Sequence, residues 1–268
     1  MLGCCHSSTA ILRLSLAWIS EEFGNLTRPH PVLPGYYEEP RQRESFVRSL
    51  FDASAADYER VNKIMSLGSG NWYRRRVLRL NGLKVGHAVL DIAVGTGLLA
   101  REARAITGTS GSVVGLDASF GMLTEAKRSL DLLVHGRAEA LPFPDASFDM
   151  ATMGYALRHI EEFEVVFAEL RRVLKPGGRV LILEVARTED RFSQAIADWW
   201  LGHAMPSLCR LLMRGRRTDE MMRYFWDTIH ECVPPQTIER ELVAAGFSDV
   251  ASVASLRVFR EYSGVRPH

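Results

Sequence analysis

The sequence predicts an α/β protein with a mostly parallel sheet and helices on both of its faces. Short apolar runs alternate with amphipathic helical segments between residues 88 and 184, as in successive strand–helix–strand units. The chain has 268 residues and is 47% hydrophobic, so it can bury one sizeable core. Two further strand segments near the carboxyl terminus are close enough to pair as an antiparallel hairpin, which predicts a seven-stranded sheet.

Residues 1–43 are predicted to be a tail that precedes the folded domain. No helical or strand periodicity persists there, and prolines and a glycine interrupt it at positions 31, 34, 35 and 40. Its apolar part, residues 10–19, is shorter than the roughly 20 residues that span a bilayer. Two interpretations stay open, a disordered extension and a targeting segment.

Residues 44–268 are predicted to form a single domain that begins with a helical segment. Apolar side chains at spacings of three and four predict two helices over about 45–80, separated near Gly68. The strands predicted next are 88–92, 112–116, 132–136, 148–153 and 179–184. The helices predicted between these strands are 98–106, 120–130 and 163–174.

Residues 186–235 interrupt the alternation and are predicted to be a helical lid. Such an insertion lies above the carboxyl ends of the strands, where open α/β sheets bind ligands. A helix over 235–245 and strands over 249–254 and 256–262 complete the domain.

Composition excludes several classes of site and partner. The formal net charge of +1 provides no overall field that would attract nucleic acid. The four cysteines lack the close spacing of a zinc site and the density of a disulfide scaffold, so we expect no metal and a reducing, intracellular setting.

The first strand ends in an acid and a loop of small residues. Small residues at 93, 95 and 97 let the backbone approach a ligand closely. A dinucleotide-binding loop would place a third glycine at the position of Leu99 or Ala100. The spacing instead suits a ligand without pyrophosphate, such as S-adenosylmethionine (SAM), with Asp91 as a hydrogen-bond acceptor.

The second strand also ends in an acid, Asp117, twenty residues after Gly97. A carboxylate at this strand end offers two acceptor oxygens to the hydroxyls of a ribose. The alternative is an aspartate that caps the following helix.

Two longer motifs resemble those of class I SAM-dependent methyltransferases. The run A-E-A-L-P-F-P-D-A-S-F-D, which begins at Ala138, is similar to their adenine-side loop and following strand. The run R-R-V-L-K-P-G-G-R, which begins at Arg171, is similar to the turn before their fifth strand. The resemblance implies a Rossmann-like fold and SAM binding by Asp91, Ala93, Gly95, Thr96, Gly97, Asp117, Ala138 and Glu139.

The flanking segments resemble the UbiE family of ubiquinone and menaquinone C-methyltransferases. Residues 51–73, F-D-A-S-A-A-D-Y-E-R-V-N-K-I-M-S-L-G-S-G-N-W-Y, are similar to its helical signature. Residues 155–160, Y-A-L-R-H-I, are similar to its segment after the fourth strand. The resemblance covers about residues 46–263 and implies C-methylation of a quinone or hydroquinone ring that carries a prenyl chain.

The sequence departs from the family pattern at Val94, Leu98, Arg137, His159 and Phe225-Trp226. Other acceptors therefore stay open, through O-methylation of a phenolic or polyketide product, lipid N-methylation or a quinone modification without methylation. A non-catalytic scaffold subunit of a quinone-biosynthesis complex is the alternative from a different class.

Arg158 and His159 are the candidate catalytic residues, Arg158 from the resemblance and His159 from the chemistry of its imidazole. Arg158 would stabilise a developing phenolate and orient a water, because an arginine with a pKa above ~12 is no base itself. His159, with an ordinary pKa of ~6.5, would serve as base or relay. The alternatives are an ion pair of Arg158 with Glu161 or Glu162 and a solvated loop histidine.

The lid is expected to contact the substrate and further partners. Tyr155, Tyr224 and Trp226 are the predicted substrate contacts. An aromatic face lies beside Arg210, Arg214, Arg216 and Arg217, which suits a lipidic substrate, a membrane surface or a homodimer interface. The expected location is the cytoplasm, with peripheral contact to the inner membrane, or the mitochondrial matrix if the tail is a transit peptide.

Overall fold

Seven strands form one sheet in the described residues, which are 27–187, 190–212, 217–255 and 258–268 of the computed structural model. The strands are β1 (Ala88–Ile92), β2 (Ser112–Asp117), β3 (Leu133–His135), β4 (Phe148–Gly154), β5 (Leu174–Val185), β6 (Ser248–Ser255) and β7 (Phe259–Val265). Their order across the sheet is β3-β2-β1-β4-β5-β7-β6.

The helices have the following bounds. They are α1 (Arg43–Met65), α2 (Gly70–Leu80), α3 (Leu98–Thr107), α4 (Phe120–Ala126), α5 (Phe163–Val173), α6 (Arg191–Ala197), α7 (Met205–Leu212), α8 (Thr218–Glu231) and α9 (Pro235–Ala244). A π-helical segment, Asp198–Ala204, joins α6 to α7, and 3-10 turns occupy Pro40–Gln42 and Leu157–His159.

The pairing of the strands confirms the predicted fold class. Strands β1 to β5 pair in parallel, whereas β7 runs antiparallel to both β5 and β6. The fifth strand starts at Leu174, earlier than predicted, because the expected turn at 175–178 is an irregularity within it. The register shifts there, with Leu174 beside Phe148 and Arg179 beside Met150.

Both faces of the central strands β1, β4 and β5 are largely buried, as is usual for parallel strands covered by helices. Consecutive side chains point to opposite faces, so Leu90 and Ile182 join one apolar cluster and Val89 and Leu181 join the other. Helices α5 and α9 cover the first face, and α2 and α3 cover the second.

A third apolar cluster joins the insertion to α1. Leu201, Met205 and Cys209 of the insertion are buried in it together with Leu50 and Val61 of α1. The insertion therefore packs on the helix that covers the carboxyl ends of the strands.

Part of the predicted tail packs on the domain. Tyr37 is buried, and the backbone oxygens of Thr27 and Pro29 accept hydrogen bonds from Phe163 and Val233. The packed unit thus begins before the expected boundary at residue 44. Residues 1–26, and Arg214 and Arg216 of the predicted basic cluster, lie outside the described residues.

Candidate active site

A cavity of about 880 Å³, part of which is open solvent, lies at the carboxyl ends of β1, β2 and β4. The strands contribute Ile92, Leu116 and Met153 to its wall, and α1 covers it with Phe51 and Tyr58. This is the position at which open α/β sheets bind ligands.

The loop after β1 has a left-handed backbone at three positions. The φ angles of Ala93, Gly95 and Gly97 are +53°, +56° and +89°, and a side chain at such a position costs about 1–3 kcal/mol of strain. A Cβ on Gly95 would meet nothing within 4 Å, whereas one on Gly97 would approach Leu130 Cδ1 to 2.9 Å. Gly95 therefore leaves open space for a ligand, and Gly97 is required by packing.

Asp117 connects this loop to the second strand. Its Oδ2 accepts from the Gly95 N–H and its Oδ1 from the Ser119 N–H, both at 2.8 Å. Helix α4 is capped by Ser119, whose Oγ accepts from the Met122 N–H, so Asp117 is not the cap. Each carboxylate oxygen keeps a second lone pair for a ligand. Burial raises the pKa of Asp117 to about 6.

Asp91 is buried at the end of β1 and is only partly satisfied. Thr152 Oγ1 donates to its Oδ1 at 2.6 Å, while its Oδ2 has no hydrogen-bond partner among the described residues. Thr96 Oγ1, on the loop, is also buried without a partner in the described part of the chain. Burial raises the pKa of Asp91 to about 7, although the hydrogen bond from Thr152 opposes this.

Arg137 connects three acidic side chains at the rim of the cavity. Its nitrogens lie 2.8 Å from Glu44, 3.4 Å from Glu139 and 3.5 Å from Glu161. Ala138 and Glu139 line the cavity beside it. The ion pairs link α1 to the loops after β3 and β4.

Arg158 is buried behind the cavity, with 1% of its surface exposed. It pairs with Glu184 of β5, donates to Thr228 Oγ1 at 3.0 Å and lies 3.9 Å from the Phe225 ring centroid. The expected ion pair with Glu161 or Glu162 is therefore wrong. Burial of Glu184 raises the pKa of that carboxyl, and the Arg158 charge opposes the shift.

His159, next to Arg158, lines the cavity. Its ring stacks on Tyr224 with centroids 5.5 Å apart and meets the Phe51 ring edge-on at 5.3 Å. Both ring nitrogens are buried without a hydrogen-bond partner in the residues described. Burial, and then the charges of Arg158 and Arg43, hold the pKa of His159 well below 6.5. The imidazole is neutral near pH 7, and the alternative of a solvated loop histidine is wrong.

Of the three predicted substrate contacts, the structure brings Tyr155 to the cavity. Tyr224 is 1% exposed beneath His159, and Trp226 packs on His230 with ring centroids 4.6 Å apart. Neither side chain is part of the described cavity wall. Positions two apart on a helix differ by about 200°, so residues 224 and 226 face different directions.

The ubiE/COQ5 methyltransferase family model matches residues 39–255. The chain belongs to this family. UbiE of Hahella chejuensis, a ubiquinone/menaquinone biosynthesis C-methyltransferase, is 33% identical over 223 residues, which cover 79% of this chain and 88% of the relative. The demethylmenaquinone methyltransferase of Symbiobacterium thermophilum is 38% identical over 170 residues, which cover 60% of this chain and 68% of that one.

A SAM-dependent methyltransferase of Aquifex aeolicus shares the fold, with a TM-score of 0.56 and 19% identity over 77% of this chain and 97% of that one. Membership of the UbiE/COQ5 family confirms the prediction of a SAM-dependent methyltransferase. The site fits this cofactor, because the unpartnered Asp91 Oδ2 and Thr96 Oγ1 and the open space at Gly95 leave room and polar groups for it.

Several residues that line the site were not among those predicted from the sequence. Asn62 and Arg74 line a neighbouring cavity, and Phe51 and Tyr58 cover the first one. Arg74 had a signal in the sequence, because an arginine three and four positions before Val77 and Leu78 lies on the apolar face of its helix.

Metal-ligand clusters and membrane-spanning helices are absent from the described residues. No group of three or more His, Cys, Asp or Glu side chains there has the arrangement of a metal site. Among the described helices, none combines the length and the apolar character that crossing a membrane requires.

Proposed function

We propose that this enzyme transfers the methyl group of SAM to a ring carbon of a prenylated quinone or hydroquinone. The observation that carries the proposal is the part of the cavity around His159. Apolar and aromatic side chains, among them Phe51, Tyr155 and Ile160, line this cavity together with an imidazole that has unpaired nitrogens. Such a site suits a flat ring with a hydroxyl group.

The binding of SAM is proposed for the residues that the sequence indicated. Ala93, Gly95, Thr96 and Gly97 form the loop that receives it, and Asp117 accepts the ribose hydroxyls. Ala138 and Glu139, which line the same cavity, are the proposed contacts of the adenine. Asp91 accepts a hydrogen bond from the methionine end through its unpartnered oxygen. When bound, SAM supplies an activated methyl group, so the protein has to position the acceptor and exclude water.

His159 orients the acceptor. A neutral imidazole accepts a hydrogen bond from a ring hydroxyl, and this raises the electron density at the adjacent ring carbon. The nearby charges of Arg158 and Arg43 disfavour an imidazolium, so His159 holds the hydroxyl by a hydrogen bond and does not retain its proton. The ring proton that the methyl group replaces is released to water.

Arg158 acts as a positioning residue. Its pairing with Glu184 fixes the turn that carries His159, and the Leu157 N–H donates to the same carboxylate at 2.8 Å. The positive charge also keeps the neighbouring imidazole neutral.

Identification of the methylated product tests the proposed function. The purified enzyme is incubated with SAM and a demethylated prenyl hydroquinone, and mass spectrometry with NMR locates the new methyl group. We expect it on a ring carbon. A methyl group on oxygen would contradict this proposal and favour O-methylation of a phenolic product. Binding of SAM without any product would favour the scaffold subunit.

We propose that the insertion, as a lid, also contacts a membrane surface. Phe192, Ile196 and Trp199 are 74%, 52% and 64% exposed along α6 and the π-helical segment. The exposed Arg191 and Arg210 lie on the same insertion and would meet anionic headgroups. A prenylated acceptor would enter from that surface, at the inner membrane of a bacterium or in a mitochondrial matrix.

Co-sedimentation with anionic vesicles tests the surface contact, with the double variant Phe192→Ser and Trp199→Ser for comparison. We expect wild-type protein to bind and the variant to stay in solution. Equal binding of both proteins would refute the contact. Loss of a dimer in the variant, measured by sedimentation velocity, would identify the face as a homodimer interface instead.

A further inference from the structure

A second cavity adjoins the first one at the loop after β1. It has a volume of about 350 Å³, part of which is open solvent, and shares Tyr58, Gly95 and Tyr155 with the first cavity as common wall. The polar side chains on its wall include Asn62, Arg74, Asp91 and Thr96. The two cavities therefore form neighbouring parts of one ligand site.

Arg74 brings a buried positive charge to this cavity. The residue is 4% exposed, and its Nη2 donates to Asn62 Oδ1 at 2.7 Å. Its Nη1 lies 3.4 Å from Asn71 Oδ1, and its Cζ lies 5.7 Å from the Tyr155 ring centroid. None of these hydrogen-bond partners is negatively charged, and the Arg74 charge acts on the Asp91 carboxyl of the same cavity without an ion-pair contact.

Arg74 differs from Arg158 in that it has no direct ion pair with a carboxylate among the described residues. A buried charge without an opposite charge is unfavourable by several kcal/mol, or about 3–5 kcal/mol when a buried pair is broken. Arg158 is compensated by Glu184, but Arg74 has neutral hydrogen-bond partners in the structure as described. A buried guanidinium with neutral hydrogen-bond partners favours the binding of an anionic ligand.

The same cavity has a carboxyl group that can bind a cation and a hydroxyl group that can bind a neutral polar atom. Asp91 Oδ2 and Thr96 Oγ1 are buried and lack hydrogen-bond partners among the residues described. A guanidinium, a carboxylate and a hydroxyl on one small wall are complementary to a zwitterion, which carries an ammonium and a carboxylate on one carbon.

We propose that Arg74, oriented by Asn62, binds the α-carboxylate of the methionine end of SAM. Asp91 then receives the α-ammonium group, and Thr96 Oγ1 completes the contacts. The adenosyl part occupies the first cavity beside Asp117. This inference depends on the cofactor and is independent of which acceptor is methylated.

Calorimetric binding of two cofactors tests the role of the carboxylate. SAM and decarboxylated SAM differ in that one group, and both keep the ammonium, the sulfonium and the adenosine. We expect wild-type protein to bind SAM about 10–100-fold more tightly, the range for a charge-assisted hydrogen bond. Equal affinities for the two ligands would overturn the proposal. Misfolding could not explain that result, because both ligands are measured with the wild-type protein.

The variant Arg74→Gln tests whether Arg74 is the residue that binds the carboxylate. We expect SAM to bind about 10–100-fold more weakly and decarboxylated SAM to keep its affinity, so the difference between the ligands disappears. The matched control is Arg76→Gln, two positions along the same helix and exposed, which should keep the wild-type difference. A difference that persists in Arg74→Gln would assign the carboxylate to another residue.

Arg74→Lys serves if Arg74→Gln does not fold. A lysine keeps the charge but loses the fork geometry, so part of the preference for SAM should remain. These measurements use no acceptor. The affinities for SAM and decarboxylated SAM would stay the same if the acceptor were not a quinone. If Arg74 did not bind the carboxylate, only these affinities would show it.

Discussion

At the scale of residues, burial shifts the pKa values of Asp91 and His159 in opposite directions for one reason. An apolar surrounding disfavours a charge of either sign. The pKa of Asp91 therefore rises to about 7, and that of His159 falls well below 6.5. The site holds both groups in less charged forms until a ligand brings compensating groups.

The pH dependence of SAM binding follows from Asp91. The α-ammonium group requires the ionised carboxylate, and with a pKa of about 7 the fraction that is ionised falls as the pH falls. We expect SAM affinity to decrease about tenfold for each unit below pH 6, measured by calorimetry from pH 5 to pH 7. Asp91→Asn should bind weakly and remove most of this slope. A flat wild-type profile would contradict the assignment.

Replacement of His159 separates orientation of the acceptor from cofactor binding. His159→Phe keeps a flat ring between Phe51 and Tyr224 but cannot accept a hydrogen bond. We expect kcat to fall about 10²-fold with unchanged SAM affinity, because the imidazole contacts the acceptor. The exposed His203 supplies the control His203→Phe, which should retain activity. Full activity of His159→Phe would exclude the proposed role.

At the scale of elements, the loop after β1 shows how backbone geometry and packing act together. A side chain at Gly97 would combine a φ of +89° with a Cβ 2.9 Å from Leu130, while one at Gly95 would be strained in open space. We expect Gly97→Ala to lower the free energy of unfolding by about 2–3 kcal/mol and Gly95→Ala by about 1 kcal/mol. Urea titrations measure both, and a larger loss for Gly95→Ala would contradict this difference.

The same loop illustrates what the sequence can predict. Strand periodicity, small residues and an acid at the strand end are local signals, and they place Asp91 and Gly95 correctly in the fold. The ion-pair partner of Arg158 cannot be predicted from neighbouring residues, because Glu184 is 26 residues away on the next strand. The faces of Tyr224 and Trp226 depend on how α8 is rotated against its neighbours, which its apolar pattern alone does not determine.

At the scale of the whole molecule, the buried pair of Arg158 and Glu184 joins parts that are distant in sequence. Glu184 belongs to β5, Arg158 to the turn after β4, and Thr228 and Phe225 to α8 of the insertion. Packing of the insertion on the sheet therefore depends on a compensated charge in the interior.

Removal of one partner should destabilise the protein more than removal of both. We expect Arg158→Met to lower the free energy of unfolding by about 3–5 kcal/mol, because it leaves the Glu184 carboxyl buried alone. The double variant with Glu184→Gln should recover part of this loss. Denaturant unfolding measures the cycle, and losses that simply add would show that the two side chains do not interact.

The ion pairs of Arg137 with Glu44, Glu139 and Glu161 close the rim of the cavity, and they have a consequence for turnover. If the used cofactor leaves by separation of α1 from the loops, these contacts must break. They are partly exposed, so dissolved salt screens them. If departure of the spent cofactor limits the rate, moderate salt should accelerate multiple turnovers and leave a single turnover unaffected.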